Sequence, residues 1–302
     1  MNASTQVSGQ ASGASPEAIR YHYDVGNDFY RLWLDANMVY SGAMWGPDDD
    51  LEAAQLRKID YHIWEAGAPG SANVLDIGCG WGALLRRLVG EHGVARAVGL
   101  TLSDAQAEWA RARSDGRVDV RVESWADHVP AAPYDAIISI GAFEHFARLE
   151  SSEEEKIDNY RAFFQQCQRW LRPNGRMSLQ TFAYGNTRSR REATASPSTQ
   201  FLANEIFPET DPPRLANIAE ATEGSFEVVS LRNDRKDYAR TCRVWLDNLR
   251  TRRDDLVALV GEEKVARYER YLQYSFYGFE TGNLGLFRIT LRRIEPKWQP
   301  KR

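Results

Sequence analysis

A glycine-rich turn carries the strongest chemical signal in the chain. An apolar strand pattern leads through Asp76 into Gly78-Cys79-Gly80-Trp81-Gly82, and a helical pattern follows. Glycine allows the backbone to pass close to a ligand where a Cβ atom would clash. At such a strand–turn–helix junction the ligand lies at the carboxyl end of the strand, near the switch point of an α/β sheet. The segment therefore predicts a small-molecule site.

The spacing of the glycines narrows the class of ligand. Dinucleotide enzymes and plain tight turns also use Gly-x-Gly, so this pair alone is weak evidence. The preceding Asp76 and the two-residue spacing of all three glycines favour a methyl-donor site over the Gly-x-Gly-x-x-Gly turn of dehydrogenases. The spacing also offers no phosphate cradle. A dinucleotide site and a purely structural turn stay open as alternatives.

Strand and helix patterns alternate around this turn. Strands are predicted at residues 73–77, 97–102, 118–122, 134–141, 176–182, 226–231 and 286–291. Helices are predicted at residues 51–64, 83–90, 103–114, 152–171, 213–223, 238–253 and 262–277, and an aromatic-rich helix at 17–35. This alternation implies an α/β protein built on a doubly wound sheet of about seven strands.

One domain is expected behind a short leader. Residues 1–15 are rich in Ser, Ala, Gly and Gln and are predicted to be a disordered leader. Residues 16–302 are predicted to form a single domain. Its expected parts are an N-terminal helical cap (16–66), a cofactor-binding core (67–182), a lid and cap (183–225) and a C-terminal sheet and helix part (226–293). The basic stretch 183–200, with Arg188, Arg190 and Arg191, is typical of a mobile loop or lid.

Composition excludes several functional classes. The net charge of −4 gives no general attraction to nucleic acid, and it allows at most peripheral membrane contact. Cys79, Cys167 and Cys242 form no CxxC pair, so neither a disulfide framework nor a metal site is predicted. No apolar run reaches the roughly 20 residues of a spanning helix, and the leader lacks the features of a signal peptide. We expect a cytoplasmic protein and leave a homo-oligomer open.

Several further segments resemble one enzyme family. From about Arg20 to Arg293 the chain is similar to the cyclopropane fatty acid synthases and mycolic acid cyclopropane synthases. The segments that carry the resemblance are His22-Tyr23-Asp24-Val25-Gly26-Asn27-Asp28-Phe29-Tyr30 with Tyr40-Ser41, Gly99-Leu100-Thr101-Leu102-Ser103 with Gln106, Ser139-Ile140-Gly141-Ala142-Phe143-Glu144-His145-Phe146, and Phe207-Pro208 with Asp237-Tyr238 and Trp245. The resemblance implies S-adenosylmethionine as cofactor and a Rossmann-like class I methyltransferase fold with a helical cap over the active site.

The resemblance also implies which residues hold the cofactor. With the glycine turn included, the expected positions are Tyr40, Ser41, Asp76, Gly78, Gly80, Gly82, Thr101, Leu102, Gln106, Trp125 and Ile140. Many methyltransferases bind the ribose hydroxyls with an acid at the end of the second strand. Here Thr101 and Gln106 must do that work with a neutral hydroxyl and amide. Trp125 either stacks on the adenine or packs in the core.

Methyl transfer to a carbon–carbon double bond is the implied chemistry. Transfer leaves a carbocation, and loss of a proton then gives a cyclopropane or a C-methylated alkene. In the family a bound bicarbonate is the base, and Glu144 and Tyr238 match two of the residues that hold it. Gln180 stands in place of a histidine and cannot supply positive charge, and Gly42 stands in place of a cysteine. Without bicarbonate, Glu144 itself is the expected base or cation stabiliser.

These candidate catalytic residues also have structural interpretations. Glu144 has the alternative of an N-cap or first-turn acid on the next helix, and Tyr238 that of a core tyrosine with a satisfied hydroxyl. For His145 we favour a packing or supporting role over a catalytic one.

The acceptor is the least determined part of the prediction. The aromatic stretch 271–279 either packs on the sheet or lines a short acceptor pocket, and the arginines of 188–191 bind an anionic group or are solvated. The leading hypothesis is methylation or cyclopropanation of an acyl, isoprenoid or other specialised hydrophobic substrate. An amine N-methyltransferase and a catalytically silent cofactor-binding partner protein are the alternatives.

Overall fold

Seven strands form one sheet in the computed structural model, which describes residue 15, residues 25–187 and residues 189–295. The strands are β1 (Val74–Ile77), β2 (Ala97–Thr101), β3 (Val118–Val122), β4 (Tyr134–Ile140), β5 (Leu171–Tyr184), β6 (Phe226–Asn233) and β7 (Leu284–Arg293). Their order is β3-β2-β1-β4-β5-β7-β6. Strands β1 to β5 run parallel, and β7 runs antiparallel to β5 and β6. The predicted α/β fold with a doubly wound sheet of about seven strands is confirmed.

Helices cover both faces of the sheet and build a cap. They are α1 (Asn27–Arg31), α2 (Leu51–Glu65), α3 (Ala83–Gly90), α4 (Asp104–Arg111), α5 (Glu153–Trp170), α6 (Arg190–Thr194), α7 (Pro197–Phe201), α8 (Leu215–Ala221), α9 (Arg235–Thr251), α10 (Arg253–Val260) and α11 (Glu262–Thr281). A 3-10 turn spans Phe143–His145 and a π-helical turn spans Leu202–Ile206. No helix in these described ranges is long and apolar enough to cross a membrane.

Local sequence signals explain several helix starts. Ser103 accepts a hydrogen bond from the backbone N–H of Gln106 and caps α4, as predicted. Ser152 forms a capping box with Glu155 at the start of α5. The basic stretch predicted as a loop instead contains the short helices α6 and α7. Their caps, Ser189 and Ser196, accept hydrogen bonds from backbone N–H groups one turn on.

The largest difference from the sequence prediction lies at the start of β5. The strand predicted at 176–182 is longer in the structure, because β5 begins at Leu171 and ends at Tyr184. The pairing with β4 jumps from Leu171 to Arg176, so the residues between them leave the ladder. Asn174 there has a positive φ of 60°. Helix α5 ends at Trp170, close to the predicted end, and Leu171 pairs with Tyr134 and buries its side chain.

The three largest apolar clusters among the described residues hold these layers together. One packs α5 and α8 against one face of the sheet, and a second packs α2, α3 and α4 against the other. The third is an aromatic cap in which Phe29, Tyr30 and Trp33 meet Trp245 and Tyr268. Tyr30 also lies 5.1 Å from the Trp81 ring, centroid to centroid. This contact joins the cap to the glycine turn. The leader apart from Ser15, the first part of the predicted aromatic helix, and Arg188 lie outside the described residues.

Candidate active site

Two adjoining cavities open at the carboxyl end of the parallel strands. The first has a volume of about 570 Å³ and lies over the glycine turn. The second has a volume of about 410 Å³ and lies under the cap. Tyr40, Ser41, Gly141 and His145 line both. A ligand in one cavity therefore meets a ligand in the other at these four residues.

The three glycines of the turn have different neighbours. Gly80 lines the first cavity with a φ of 51°, and a Cβ added there would meet no protein atom within 4 Å. A Cβ on Gly78 would lie 2.5 Å from the Ala142 Cβ, and one on Gly82 would lie 2.9 Å from the Ala110 Cβ. Gly80 therefore leaves room for a ligand, whereas Gly82 serves packing and does not line the cavity.

Neutral groups line the first cavity at the end of β2. The Thr101 hydroxyl donates to the Gln106 side-chain oxygen at 2.8 Å and accepts from the Ser103 backbone N–H at 3.2 Å. These bonds fix the Gln106 amide and occupy its oxygen. Its N–H groups are not used by Thr101 or Ser103. Leu102 lines the cavity beside them. The arrangement suits the ribose hydroxyls of a nucleoside, which accept hydrogen bonds from an amide.

Trp125 lies at the end of this cavity that follows β3. Its ring centroid is 5.5 Å from that of Phe146 and 5.3 Å from that of Phe163, and it lines the cavity as well. The two interpretations given above are therefore compatible, because one face packs while the ring still borders open space. Glu123 and Ser124 line the same end, although the sequence analysis did not single them out. Their position directly after a predicted strand could have identified them as candidate site residues.

A buried acid and a buried base line the cavity near β1. Asp76 is 3% exposed, and burial raises its pKa to about 7. Lys58 is 1% exposed, and its ammonium donates to the Ser41 hydroxyl at 2.7 Å. Burial, and then the charge of Arg288, lower the Lys58 pKa to about 7. Sequence analysis missed Lys58, although polar residues recur along the buried face of α2 as Gln55, Lys58 and His62.

Glu144 lies on the 3-10 turn after β4 and faces the second cavity. It is 2% exposed, and its Oε1 accepts from the backbone N–H of Phe182 at 2.9 Å. Its Oε2 is buried and has no hydrogen-bond partner among the described residues. Burial raises the Glu144 pKa to about 7, against the opposing effect of the backbone bonds. Helix α5 begins only at Glu153 behind its own cap, so Glu144 is not a first-turn acid of that helix.

Gln180 lines the second cavity, and protein groups hold its amide. Its Oε1 accepts from the Arg288 Nε at 2.9 Å and lies 3.2 Å from the His62 Nε2. Its Nε2 donates to the Gly42 carbonyl at 3.2 Å. Arg288 is completely buried and forms an ion pair with Asp234. Neither Arg288 nor His62 was singled out from the sequence.

The Gln180 contacts also determine which ring nitrogen of His62 carries the proton. Because an amide oxygen only accepts, the His62 Nε2 must carry the proton, and its Nδ1 then accepts from the Ser178 hydroxyl at 2.7 Å. Burial and the charges of Arg288 and Lys58 hold the His62 pKa well below its usual range. His62 is therefore a neutral donor.

Tyr238 and His145 flank the second cavity. The Tyr238 ring stacks on Phe279 with centroids 4.3 Å apart. A Cβ on Gly42 would lie 2.8 Å from the Tyr238 Cγ, so the tyrosine fills the space that a side chain at position 42 would need. The His145 Nδ1 is 2.9 Å from the Thr210 hydroxyl. Burial lowers the His145 pKa to about 4, so its imidazole is neutral at pH 7.

Helix α11 supplies an aromatic wall to the second cavity. Tyr271, Tyr274, Tyr277 and Phe279 all line it, and the Tyr271 hydroxyl accepts from the Tyr40 hydroxyl at 3.0 Å. The aromatic stretch 271–279 thus lines this pocket and also packs in the cap. Ile140, the last residue assigned to the site, lines the first cavity.

Comparison with known proteins finds one family model and several relatives that cover most of the chain. Residues 11–289 match the family model for mycolic acid cyclopropane synthetase. Cyclopropane mycolic acid synthase MmaA2 of Mycobacterium tuberculosis H37Rv is 33% identical over 292 residues, which cover 92% of this chain and 97% of that protein. Cyclopropane mycolic acid synthase 2 of Mycobacterium leprae is 33% identical over 288 residues, which cover 90% and 89%.

Solved structures agree with this result. The structure of M. tuberculosis MmaA2 and that of mycolic acid cyclopropane synthase CmaA1 complexed with SAH and CTAB each have a TM-score of 0.83 and 31% identity, and cover 93% of this chain and 99% of theirs. Coclaurine N-methyltransferase bound to N-methylheliamine and SAH has a TM-score of 0.76 at 20% identity, with 92% and 82% covered. That last likeness concerns the fold alone.

Proposed function

We propose that this chain, a member of the mycolic acid cyclopropane synthetase family and an S-adenosylmethionine-dependent methyltransferase, acts on an alkene. It methylates or cyclopropanates an alkene carbon of an acyl chain or another hydrophobic substrate. One observation carries the proposal. The second cavity is walled by aromatic side chains, meets the first cavity at four residues, and is lined by Glu144, whose buried Oε2 has no hydrogen-bond partner among the described residues.

The first cavity has the properties that the cofactor requires. Gly80 leaves open space, Gln106 offers amide N–H groups, and Asp76 offers a buried carboxylate. S-adenosylmethionine bound there supplies an electrophilic methyl group. The four residues that line both cavities, among them Tyr40 and Ser41, then hold the two ligands in contact and exclude water. This lowers the entropic part of the activation barrier.

Glu144 is the proposed base. Its Oε1 is anchored by the backbone of β5, so its Oε2 keeps a fixed position. With a pKa of about 7, the carboxylate can accept a proton near neutral pH and release it again. The aromatic faces of Tyr238, Tyr271 and Phe279 border the same space and stabilise a cationic centre by about 0.5–2 kcal/mol each.

Bicarbonate is a less suitable base in this chain. The Gln180 oxygen already binds Arg288 and His62, and one of its two N–H groups binds Gly42, so a single N–H remains for an anion. We therefore propose that Glu144 removes the proton directly. Turnover measured in degassed buffer with and without added bicarbonate tests this step. A rate that does not depend on bicarbonate supports direct proton removal, and an absolute requirement for bicarbonate contradicts it.

Product analysis tests the proposed function. Purified protein is incubated with S-adenosylmethionine and, separately, with vesicles of dioleoyl phospholipid, oleic acid, an oleoyl thioester and an isoprenoid diphosphate. A product heavier by one methylene group, with ring-methylene or C–CH3 signals in NMR, supports the proposal. Turnover of amines alone, with an N–CH3 signal, contradicts it.

Amine methylation is the second candidate, and the same cavity favours it. A buried carboxylate beside an aromatic wall also suits an amine acceptor. Glu144 can take the proton that an ammonium must lose before its nitrogen attacks the methyl group, and the aromatic faces attract the ammonium both before deprotonation and after methylation. A panel of tertiary and cyclic secondary amines in the same assay separates the two candidates.

A further inference from the structure

The first cavity has one buried amine and one buried carboxyl group near β1. Lys58 on α2 and Asp76 at the end of β1 both line it, and both are almost completely buried. The Lys58 ammonium makes one hydrogen bond within the described ranges, to the Ser41 hydroxyl. An ammonium group has three donors. Donors of Lys58 therefore remain for a ligand in the cavity.

Burial makes these two charges costly without a partner. A charged group that leaves water loses several kcal/mol unless a partner of opposite charge or hydrogen bonds replace the solvent. Asp35 and Asp76 favour the charged form of Lys58, whereas Arg288 opposes it. Asp35 is already used, because its carboxylate accepts from the backbone N–H groups of Asn37 and Val39. A ligand with a carboxylate and an ammonium would complement Lys58 and Asp76 together.

The strand order indicates which part of the cofactor reaches these two groups. Trp125 follows β3, Thr101 ends β2, and the glycine turn follows β1, so these groups lie in the order of neighbouring strands. Gly141 follows β4, and a Cβ added there would lie 3.5 Å from the Ser41 Cβ. A cofactor with its adenosine near Trp125 and Thr101 would therefore extend its amino acid part toward Ser41 and Lys58.

We infer that Lys58 binds the α-carboxylate of the cofactor's amino acid part, together with the Ser41 hydroxyl that it orients, while Asp76 binds the α-ammonium. The Lys58–Ser41 pair is thus a receptor for the end of the cofactor that does not react. Ser41 also lines the second cavity, so this contact fixes the donor at the junction of the two cavities. The inference rests on the cofactor of the proposed function and not on its acceptor.

A ligand pair tests this role directly. S-adenosylhomocysteine carries the amino acid part, and 5′-methylthioadenosine has the same adenosine and sulfur without it. Isothermal titration of both ligands is carried out on wild type, on Lys58→Met, and on the control Lys236→Met, whose lysine is exposed on α9. Loss of a charge-assisted contact should weaken S-adenosylhomocysteine about 10- to 100-fold in Lys58→Met. The affinity for 5′-methylthioadenosine should stay within about twofold of wild type.

Two results would overturn the inference. An equal loss for both ligands would mean that Lys58 only holds α2 against the segment around Ser41, and an unchanged affinity for S-adenosylhomocysteine would mean that it does not touch the cofactor. A second measurement needs no variant: wild type should bind decarboxylated S-adenosylhomocysteine about 10-fold or more weakly than S-adenosylhomocysteine, and equal binding counts against the carboxylate contact. Because the readout is cofactor affinity, failure to methylate any alkene does not affect it.

Discussion

The backbone N–H of Phe182 donates to Glu144 Oε1 at 2.9 Å, whereas Glu144 Oε2 is buried and has no hydrogen-bond partner among the described residues. The two oxygens of one carboxylate thus have different tasks. One fixes the side chain to β5, and the other is kept without a partner in the described structure. A group in this arrangement is positioned by the fold and still able to take a proton.

Glu144→Gln should separate these two tasks. The amide oxygen can still accept from Phe182, but the side chain can no longer take a proton. Turnover should therefore fall by about 10²-fold or more, while S-adenosylhomocysteine affinity stays close to that of wild type. Steady-state kinetics and isothermal titration measure the two effects. Near-normal turnover would assign Glu144 to structure alone.

The same variant should change how stability depends on pH. Burial raises the Glu144 pKa from 4.5 to about 7, so the folded state binds its proton more tightly than the unfolded state does. Wild type therefore loses stability as pH rises between these values. The free energy of unfolding of Glu144→Gln minus that of wild type should increase by about 3 kcal/mol between pH 4.5 and pH 8.

Urea unfolding at several pH values measures this difference. The change with pH is diagnostic, because the glutamine amide adds a constant contribution of its own at every pH. A difference that stays constant over the whole range would show that the carboxylate has an ordinary pKa in the fold.

Gly80→Val should abolish cofactor binding. A side chain at this position would occupy open space in the first cavity, where no protein atom lies within 4 Å. Gly93→Val is the matched control, because Gly93 also has a positive φ, 66°, also has no atom near its Cβ position, is exposed, and lines neither cavity. Both variants share the backbone strain of a β-branched residue in the left-handed region.

Titration of both variants with S-adenosylhomocysteine then separates the steric effect of a side chain in the cavity from the effect of backbone strain. We expect no measurable binding to Gly80→Val and wild-type affinity for Gly93→Val. Equal weakening in both variants would attribute the loss to backbone strain and would leave the glycine turn without a demonstrated ligand.

Much of the fold follows from short segments of sequence. The run from Val74 to Ile77 predicts β1, because a short run that is apolar apart from Asp76 and ends in glycines suits a strand buried on both faces. Ser103 predicts the start of α4, because a serine hydroxyl binds the free N–H groups of a first turn. Such signals act within a few residues, so they survive in any tertiary context.

The polar layer beneath the site did not follow from the sequence. Arg288 and Gln180 are 108 positions apart, and they meet only because β7 inserts antiparallel beside β5. Lys58 and His62 lie on an amphipathic helix where buried positions are expected to be apolar. The role of these two side chains depends on which strand ends α2 covers. No local sequence pattern encodes this packing of α2 on the sheet.

Gln180→Met should destabilise the fold through this layer. The substitution keeps the volume but removes the oxygen that accepts from Arg288, a completely buried cation, and from His62. Leaving buried donors unpaired costs about 1–3 kcal/mol, and more for a charged group. Gln55→Met is the control, since Gln55 is equally buried but its Oε1 already has no partner among the described residues, and only its bonds to two carbonyls are lost. Urea unfolding should show the larger loss for Gln180→Met. A loss no larger than that of the control would mean that Asp234 and the carbonyls of Gly42 and Ala43 satisfy Arg288 without Gln180.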